Sequence, residues 1–295
     1  MHQYFKSKSD ALGLLLTSLI FVFTIQGCDE KKQDLDFTYP LTPDNEWTYL
    51  NTSQQIFYVD STGGRENLDT LTVTYPVSVR IVGTHIIADS IPAYEMIEEF
   101  NIWGDDHLNR LYYSITPEAL YSVAFQSEGG SIAYPKGIQN LKIQFHGQSY
   151  ENSMELVRIL KMGSMPNYTA DDSIYTELFS SKVLEFPFHI GNQWVYHDTS
   201  EGFRMDRRVE SQVSLVLESG RFDCYQTRTL YDLNRDDQWD NDILFKSYFA
   251  REGLVQRELG IYDMLETDEF GMPTGRKMDW LEKLVLTDFN LNDQQ

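Results

Sequence analysis

An acidic segment at residues 232–242 carries the densest set of oxygen-bearing side chains in the chain. Its sequence is DLNRDDQWDND, and positions 1, 3, 5 and 9 of it are Asp232, Asn234, Asp236 and Asp240. That spacing is typical of the first part of a calcium-binding loop. Position 6 is an aspartate where such a loop needs glycine, and position 12 is isoleucine where it needs glutamate. We therefore favour an acidic loop joining strands at 222–231 and 243–250, with calcium binding as the alternative.

The rest of the sequence offers little for catalysis. The six histidines are scattered and none is spaced as His-x-x-x-His. No Gly-x-Ser-x-Gly, phosphate-binding loop or Gly-x-Gly-x-x-Gly occurs. The usual sequence signatures of zinc hydrolases, serine hydrolases and nucleotide-binding enzymes are thus missing. We predict no catalytic residue and no cofactor other than the alternative calcium ion.

Cys224 is the one thiol in the body of the chain. It lies in RFDCYQ, where Phe222 and Cys224 would share one face of a strand. A reactive thiol needs an electropositive, partly exposed setting, and no neighbouring residue supplies one. We predict a small buried side chain at this position.

The charge of the chain limits its partners. Lys+Arg number 24 against 45 Asp+Glu, which leaves a formal net charge of −21. Nucleic-acid binding requires a basic surface that replaces the counterions of the phosphates. The composition therefore argues against a nucleic-acid partner. Hydrophobic residues at 41% and aromatics at 14% predict a packed core rather than disorder.

The first 27 residues have the pattern of a secretory signal. Lys6 and Lys8 precede an apolar stretch from Ala11 to Ile25. Those fifteen residues fall short of the roughly 20 that a membrane-spanning helix needs. The segment Ile25-Gln26-Gly27-Cys28 resembles the lipobox of bacterial lipoproteins. The resemblance implies cleavage before Cys28 and attachment of lipid to its thiol.

Residues 28–37 form the predicted lipidated cysteine and tether. DEKKQDLD follows Cys28 and is polar and charged, as expected of a short solvated linker. The pair Asp29-Glu30 resembles a signal for inner-membrane retention in some bacteria and for surface export in others. We predict an exported protein anchored to a bacterial membrane by its N-terminal lipid. The outer membrane or cell surface is favoured, and the inner membrane is the alternative.

Two stretches of the chain share a pattern. Residues 39–53 (YPLTPDNEWTYLNTS) and 186–200 (FPFHIGNQWVYHDTS) are identical at six of fifteen positions at an offset of 147 residues. At an offset of 134 residues, 79–82 matches 213–216, and 118–120 matches 252–254. A single insertion near residues 61–67 would account for the change of offset. We interpret the chain as two tandem copies, residues 38–180 and 181–295.

Each copy is predicted to be mostly β. Alternating, β-branched segments occur at 71–75, 77–82, 208–217, 141–145 and 283–289. Residues 154–162 fit a helix or a strand, and residues 171–181 fit a helix. The predicted fold is two tandem antiparallel β-meander repeats, half-barrel or sandwich-like, with few short helices.

Each copy places a tryptophan and a tyrosine two residues apart: Trp47 with Tyr49 and Trp194 with Tyr196. Residues at this spacing share one face of a strand. We favour core aromatics at the start of each copy, with a ligand-binding aromatic platform as the alternative.

Short motifs resemble a group of uncharacterised exported bacterial lipoproteins with a repeated Pro-x-x-x-Gly-Asn-x-Trp-x-Tyr module. The matching segments are Pro187–Tyr196, Gly220–Phe222 and Glu252–Val255; the first copy departs at Pro43-Asp44 and at Ala119. The resemblance implies a β-rich fold, akin to the half-barrels of periplasmic lipoprotein carriers, and no catalytic residues.

These features favour a non-catalytic envelope lipoprotein that acts as a binding, carrier or scaffold module. Its expected partners are the membrane, through the lipid, and an apolar ligand or an envelope protein. The alternatives are a hydrolase acting on envelope glycans or peptides and a calcium-dependent surface adhesin or binding module.

Overall fold

The computed structural model describes residues 37–102, 104–127, 141–162, 174–198 and 202–292. The signal, Cys28 and most of the tether lie outside these ranges. Within them the chain forms fourteen strands and one helix: β1 (Glu46–Ser61), β2 (Gly64–Ile87), β3 (Ile91–Ile102), β4 (Asp105–Ile115), β5 (Ala119–Ser127), β6 (Ile143–Phe145), β7 (Gln148–Tyr150), α1 (Ser153–Met162), β8 (Tyr175–Glu185), β9 (Gln193–Asp198), β10 (Arg204–Leu217), β11 (Gly220–Asp232), β12 (Ile243–Ala250), β13 (Gly253–Thr267) and β14 (Pro273–Asn290). The mostly β prediction is confirmed.

Alternation of exposed and buried residues explains most of the strands. In β1 the odd-numbered residues from Trp47 to Phe57 are buried and the residues between them are more exposed. The two short strands predicted at 71–75 and 77–82 are parts of the single long strand β2. The loop predicted between residues 231 and 243 joins β11 to β12.

The two helical predictions have different outcomes. Residues 153–162 form α1, which begins after Asn152, whose Oδ1 accepts a hydrogen bond from the Glu155 N–H at 2.9 Å. The helix predicted at 171–181 is wrong, because Tyr175–Glu185 is strand β8. β8 pairs with β5, and this pairing overrides the local propensity.

All the strands belong to one antiparallel sheet. Its order is β8-β5-β4-β3-β2-β1-β14-β13-β12-β11-β10-β9, with the β6–β7 hairpin attached to β13. The C-terminal strand β14 therefore lies between β1 and β13. The sheet is nearly closed and barrel-like. Its end strands β8 and β9 approach each other, since the Trp194 Nε1–H of β9 donates to the Lys182 carbonyl of β8 at 3.0 Å. Arg207 of the neighbouring strand β10 also donates, from Nη1, to the Val183 carbonyl of β8 at 2.7 Å.

The turns before β1 and β9 have the same hydrogen bonds. The Asn45 and Asn192 side chains each donate to the carbonyl of a proline five residues earlier, at 2.9 and 3.3 Å. Asp44 and Gly191 both have positive φ, 68° and 96°. Asp44 therefore adopts the backbone conformation that glycine provides in the other turn.

These turns also fix which parts of β2 and β10 correspond. Ile81 exchanges backbone hydrogen bonds with Asp44 and Asn45, and Val209 does so with Gly191 and Asn192. A bulge follows each of these two residues. The offset from Ile81 to Val209 is 128 residues. The sequence match of 79–82 with 213–216 at an offset of 134 is therefore out of register, and it reflects only the shared alternation of β-branched residues.

Two large apolar clusters fill the two ends of the interior. The first, termed the mouth cluster, includes Trp47, Tyr49, Phe188, Val255 and Leu284. The second, termed the helix cluster, includes the sheet residues Phe57, Tyr231, Ile261 and Trp280 together with Leu156, Val157 and Leu160 of α1. Both ends of the interior are thus packed, one by the N-terminal segment and the other by α1. No helix in the described ranges has the length and apolar character to cross a membrane.

Candidate functional sites

A polar layer separates the two apolar clusters on the inner face of the sheet. Along β1, Trp47 and Tyr49 belong to the mouth cluster and Phe57 to the helix cluster. The same order, apolar then polar then apolar, holds along β11, β12, β13 and β14. We call these inward residues the polar layer: Asn51, Ser53, Gln55, Tyr75, Thr227, Thr229, Ser247, Arg257 and Glu282.

The strand register places these side chains on one face. Tyr75 is opposite Asn51, which is opposite Leu284, which in turn is opposite Arg257. Residues directly opposite each other in a sheet project to the same side. Because Leu284 is in the mouth cluster, Arg257 also points into the interior.

One strong ion pair lies at the helix side of the layer. The Lys161 ammonium contacts both carboxylate oxygens of Glu282, at 2.5 and 2.7 Å. Burial acts to raise the pKa of Glu282, but Lys161 and Arg257 outweigh it and hold that pKa below its usual value. Glu282 is therefore ionised, and its charge is matched by Lys161.

Other polar atoms of the layer are unmatched. Asn51 is 2% exposed and donates from Nδ2 to the Tyr75 hydroxyl at 2.7 Å, but its Oδ1 has no hydrogen-bond partner in the described structure. The same holds for Oε1 of Gln55, which is 1% exposed, and for Nε of Arg257. Unpaired buried polar atoms are costly, and they mark a place that water or a ligand would occupy.

An open pocket lies at the mouth-cluster end. It has a volume of about 240 Å³. Its walls are Thr38, Tyr39, Leu41, Thr42, Pro43, Tyr94 and Ile115. Burial raises the pKa of Tyr39 to about 12, and the positive charge of Arg257 opposes that shift. Tyr39 thus connects the pocket to the surroundings of Arg257.

The repeated aromatics lie in the core. Trp47, Tyr49, Trp194 and Tyr196 are 1, 3, 4 and 9% exposed. The Trp47 Nε1–H donates to the Glu252 carbonyl at 2.6 Å, and the Tyr49 hydroxyl donates to the Leu254 carbonyl at 2.9 Å. Both contacts join β1 to the second half of the chain. The geometry thus gives these side chains a structural role and leaves little of their surface for an exposed platform.

The predicted calcium ligands of the acidic loop do not converge on one point as they would in a calcium loop. The two oxygens of Asp232 accept the N–H groups of Asp236 and Asp237, each at 3.1 Å, and Asp240 Oδ2 accepts the Leu233 N–H at 2.9 Å. Asp232 and Asp240 are buried, whereas Asn234 and Asp236 are exposed. The buried carboxylates therefore hold the loop backbone.

Asp240 instead joins a cluster with Asp242 and with His146 from the β6–β7 turn. His146 Nε2 lies 2.9 and 3.0 Å from the two oxygens of Asp242, and Nδ1 lies 3.4 Å from Asp240 Oδ1. One ligand atom from each residue lies within 4.8 Å of the others. Burial raises the pKa of Asp240, and His146 opposes the rise. This geometry suits either an imidazolium between two carboxylates or a divalent cation.

Two of these features have no signal in the amino-acid sequence. His146 is 96 residues from Asp242, so only the pairing of β6 with β13 could bring them together. The inward direction of Arg257 could not be predicted, because its strand contains other charged residues and because the direction depends on the register with β14. The predicted lipidation site Cys28 lies outside the described residues.

No protein-family model matches the chain, and no curated protein sequence matches it. Two solved structures have low similarity. One is a putative lipoprotein from Parabacteroides distasonis, with 14% identity over 88% of this chain and 100% of that one, and a TM-score of 0.29. The other is a putative exported protein with a YmcC-like fold from Bacteroides fragilis, with 9% identity over 86% and 99% of the chains and a TM-score of 0.25. TM-scores this low do not establish a common fold or function.

Proposed function

We propose that the chain is a non-catalytic binding module of the bacterial cell envelope, attached to a membrane by lipid on Cys28. The observation that carries the binding role is the polar layer. It places unpaired buried polar atoms of Asn51, Gln55 and Arg257 inside a nearly closed sheet. A site of this kind is suited to a small molecule, because concave interiors bind ligands through a few placed polar groups in apolar surroundings.

The test is native mass spectrometry of residues 29–295 secreted without the lipid. The compact unit of the chain begins at Asp34, so this form retains it. We expect a small molecule to co-purify in stoichiometric amount and to be released on denaturation. A protein that is empty and that remains empty after incubation with envelope extract would contradict the binding role, and would favour the scaffold role instead.

The anchor has its own test. The full-length chain should fractionate with membranes and carry fatty acid, whereas Cys28→Ser should lose both properties. Cys224→Ser is the matched control, because Cys224 is 1% exposed in the core and is not available to the lipid-transfer machinery. Retention of fatty acid by Cys28→Ser would exclude lipidation at that residue.

A calcium-dependent binding module is the alternative to this proposal. The cluster of His146, Asp240 and Asp242 gives it little support, because calcium prefers oxygen ligands and His146 offers a nitrogen. The Asp232 and Asp240 carboxylates already accept hydrogen bonds from backbone N–H groups of the loop. We therefore expect millimolar calcium to leave the Tm of the lipid-free protein unchanged within about 1 °C. Binding with a Kd one hundredfold below the calcium concentration would add about 2.7 kcal/mol. A clear rise in Tm, lost in Asp242→Asn, would establish the calcium site.

A further inference from the structure

We propose that Arg257 binds the carboxylate of a small amphiphilic ligand inside the sheet, with the apolar part of the ligand directed toward the mouth pocket. This inference rests on the proposed binding function and names the ligand chemistry. It depends on the direction of Arg257, on its unpaired donors and on the apolar interior between it and the mouth pocket.

The Arg257 side chain enters the interior from the middle of β13. Its neighbours on the same face are Val255 in the mouth cluster and Leu259 in the helix cluster. The residue keeps some accessible surface although it points inward, whereas Val255 is 0% and Leu259 3% exposed. Space accessible to solvent therefore exists beside this side chain.

No hydrogen bond or ion pair to Arg257 forms within the described ranges, and its Nε is buried without a partner. Glu282, whose pKa the Arg257 charge helps to lower, makes its two short contacts with Lys161. Glu98, which also faces the interior, accepts a hydrogen bond from Asn109 Nδ2 at 3.0 Å. Both carboxylates thus use their close contacts on other side chains, and the guanidinium donors of Arg257 stay unpaired within the described ranges.

An arginine in this state selects a carboxylate. Its planar fork donates two parallel hydrogen bonds to the two oxygens of a carboxylate, and such charge-assisted pairs are about twice as strong as neutral ones. A ligand carboxylate would accept from the guanidinium donors that Glu282 and Glu98 leave unused. Asn51 Oδ1 and Gln55 Oε1 remain as acceptors for a ligand hydroxyl or for water.

The interior between the mouth pocket and Arg257 is mostly apolar and aromatic. Tyr39, Leu41, Tyr94 and Ile115 line the pocket and pack in or against the mouth cluster, which includes Val255, two residues before Arg257 on the same face of β13. The pocket volume of about 240 Å³ suits a short chain.

The test compares decanoate with decanol, which has the same chain length without the charge, on lipid-free residues 29–295 by calorimetry. We expect decanoate to bind, Arg257→Met to weaken its binding about tenfold or more, and decanol binding to change little. Arg221→Met is the matched control, since Arg221 is exposed on β11. Near-ultraviolet circular dichroism of each variant reports whether its core is intact.

Glu98→Gln keeps the inference testable if Arg257→Met does not fold. Removing the negative charge of Glu98 should strengthen decanoate binding a few-fold and leave decanol binding unchanged. Equal decanoate affinity in the unaltered protein, Arg257→Met and Glu98→Gln would overturn the role of Arg257 and leave the binding function intact. Absence of decanoate binding to the unaltered protein would overturn the carboxylate inference, whereas the binding function fails only if the mass-spectrometric experiment finds no ligand.

Discussion

Single residues explain where the two copies of the pattern differ. Gly253 has a φ of 103°, and a Cβ there would lie 3.4 Å from Trp47 Nε1. Ala119, at the matching place at the start of β5, needs no glycine because Thr116 Oγ1 accepts the N–H groups of Glu118 and Ala119, at 3.2 and 3.1 Å. Ala119 begins β5 as Gly253 begins β13, but the turns before these two residues differ in their hydrogen bonds. Glycine is therefore required in only one of them.

Gly253→Ala should therefore destabilise the protein by about 1 to 3 kcal/mol, because it combines a strained positive φ with a tight contact on the Trp47 indole. Chemical denaturation measures the loss. Gly83→Ala is the control, because its Cβ meets nothing within 4 Å and its φ is not positive. Equal losses in the two variants would show that the Trp47 contact and the backbone strain are unimportant.

Cys224 should be inert in the folded protein. It is 1% exposed, and burial raises the pKa of its thiol to about 12, with Glu252 and Asp223 adding to the rise. At pH 8 a thiol reagent should react slowly with the native protein and rapidly in denaturant. Since the folded pKa is raised, the neutral thiol contributes stability below its unfolded pKa, and this is lost as the pH rises toward 12. Fast stoichiometric labelling at pH 8 without unfolding would contradict the burial.

Whole elements are held by contacts that cross between the helix and the sheet. Leu156, Val157 and Leu160 of α1 are at most 1% exposed, and the Leu160 carbonyl accepts the Tyr231 hydroxyl at 2.8 Å. The Lys161–Glu282 pair adds a charged contact to this apolar one. The helix therefore closes its end of the interior and neutralises a buried carboxylate of β14.

Lys161→Met should cost about 2 to 4 kcal/mol, because it leaves the Glu282 carboxylate buried without its partner. Lys161→Met combined with Glu282→Leu should recover much of that loss. The pKa of Glu282 is lowered in the folded protein, so the pair contributes stability above about pH 4.5 that is lost as the pH falls through the folded pKa.

The control for this pair is Lys182→Met. Lys182 and Glu185 form a more exposed ion pair at 2.7 Å, which should be worth less than about 1 kcal/mol. Urea titrations at pH 7 and pH 4 measure all of these variants. A Lys161→Met loss that is the same at both pH values would argue against the electrostatic cause.

At the scale of the whole molecule, the strands of the described ranges form one sheet rather than two separate meanders in sequence. β1 pairs with β2 on one side and, from Glu46 to Val59, with the C-terminal strand β14 on the other. The predicted copies at 38–180 and 181–295 therefore share a long strand pairing. The Trp47 and Tyr49 hydrogen bonds cross the same junction.

Residues 29–295 should consequently unfold in a single calorimetric transition, with equal calorimetric and van't Hoff enthalpies. Residues 38–180 expressed alone should not fold, because β1 would lose its β14 partner and become an unprotected edge. Two resolved transitions, or a folded and monomeric 38–180 fragment, would show that the copies are independent.

Local chemistry made much of the β structure predictable. Alternation located β2, β10 and β14 because a strand with one buried face must repeat every two residues. The repeated Pro-x-x-x-x-Asn turns were visible as well, since their hydrogen bonds run within six residues. The strand β8 was missed because its conformation depends on pairing with β5, which is distant in sequence.

The order of residues along the chain is enough to specify an acidic, strand-rich protein with a buried Cys224, because charge and alternation are local properties. It does not specify the interior. Arg257 faces the polar layer only because β13 pairs with β14 in one register, and a shift of one residue would turn it to the outside. His146 likewise reaches Asp242 only through pairing of distant strands. Registers of this kind are set by packing of the whole sheet, so the candidate sites emerge only in the folded structure.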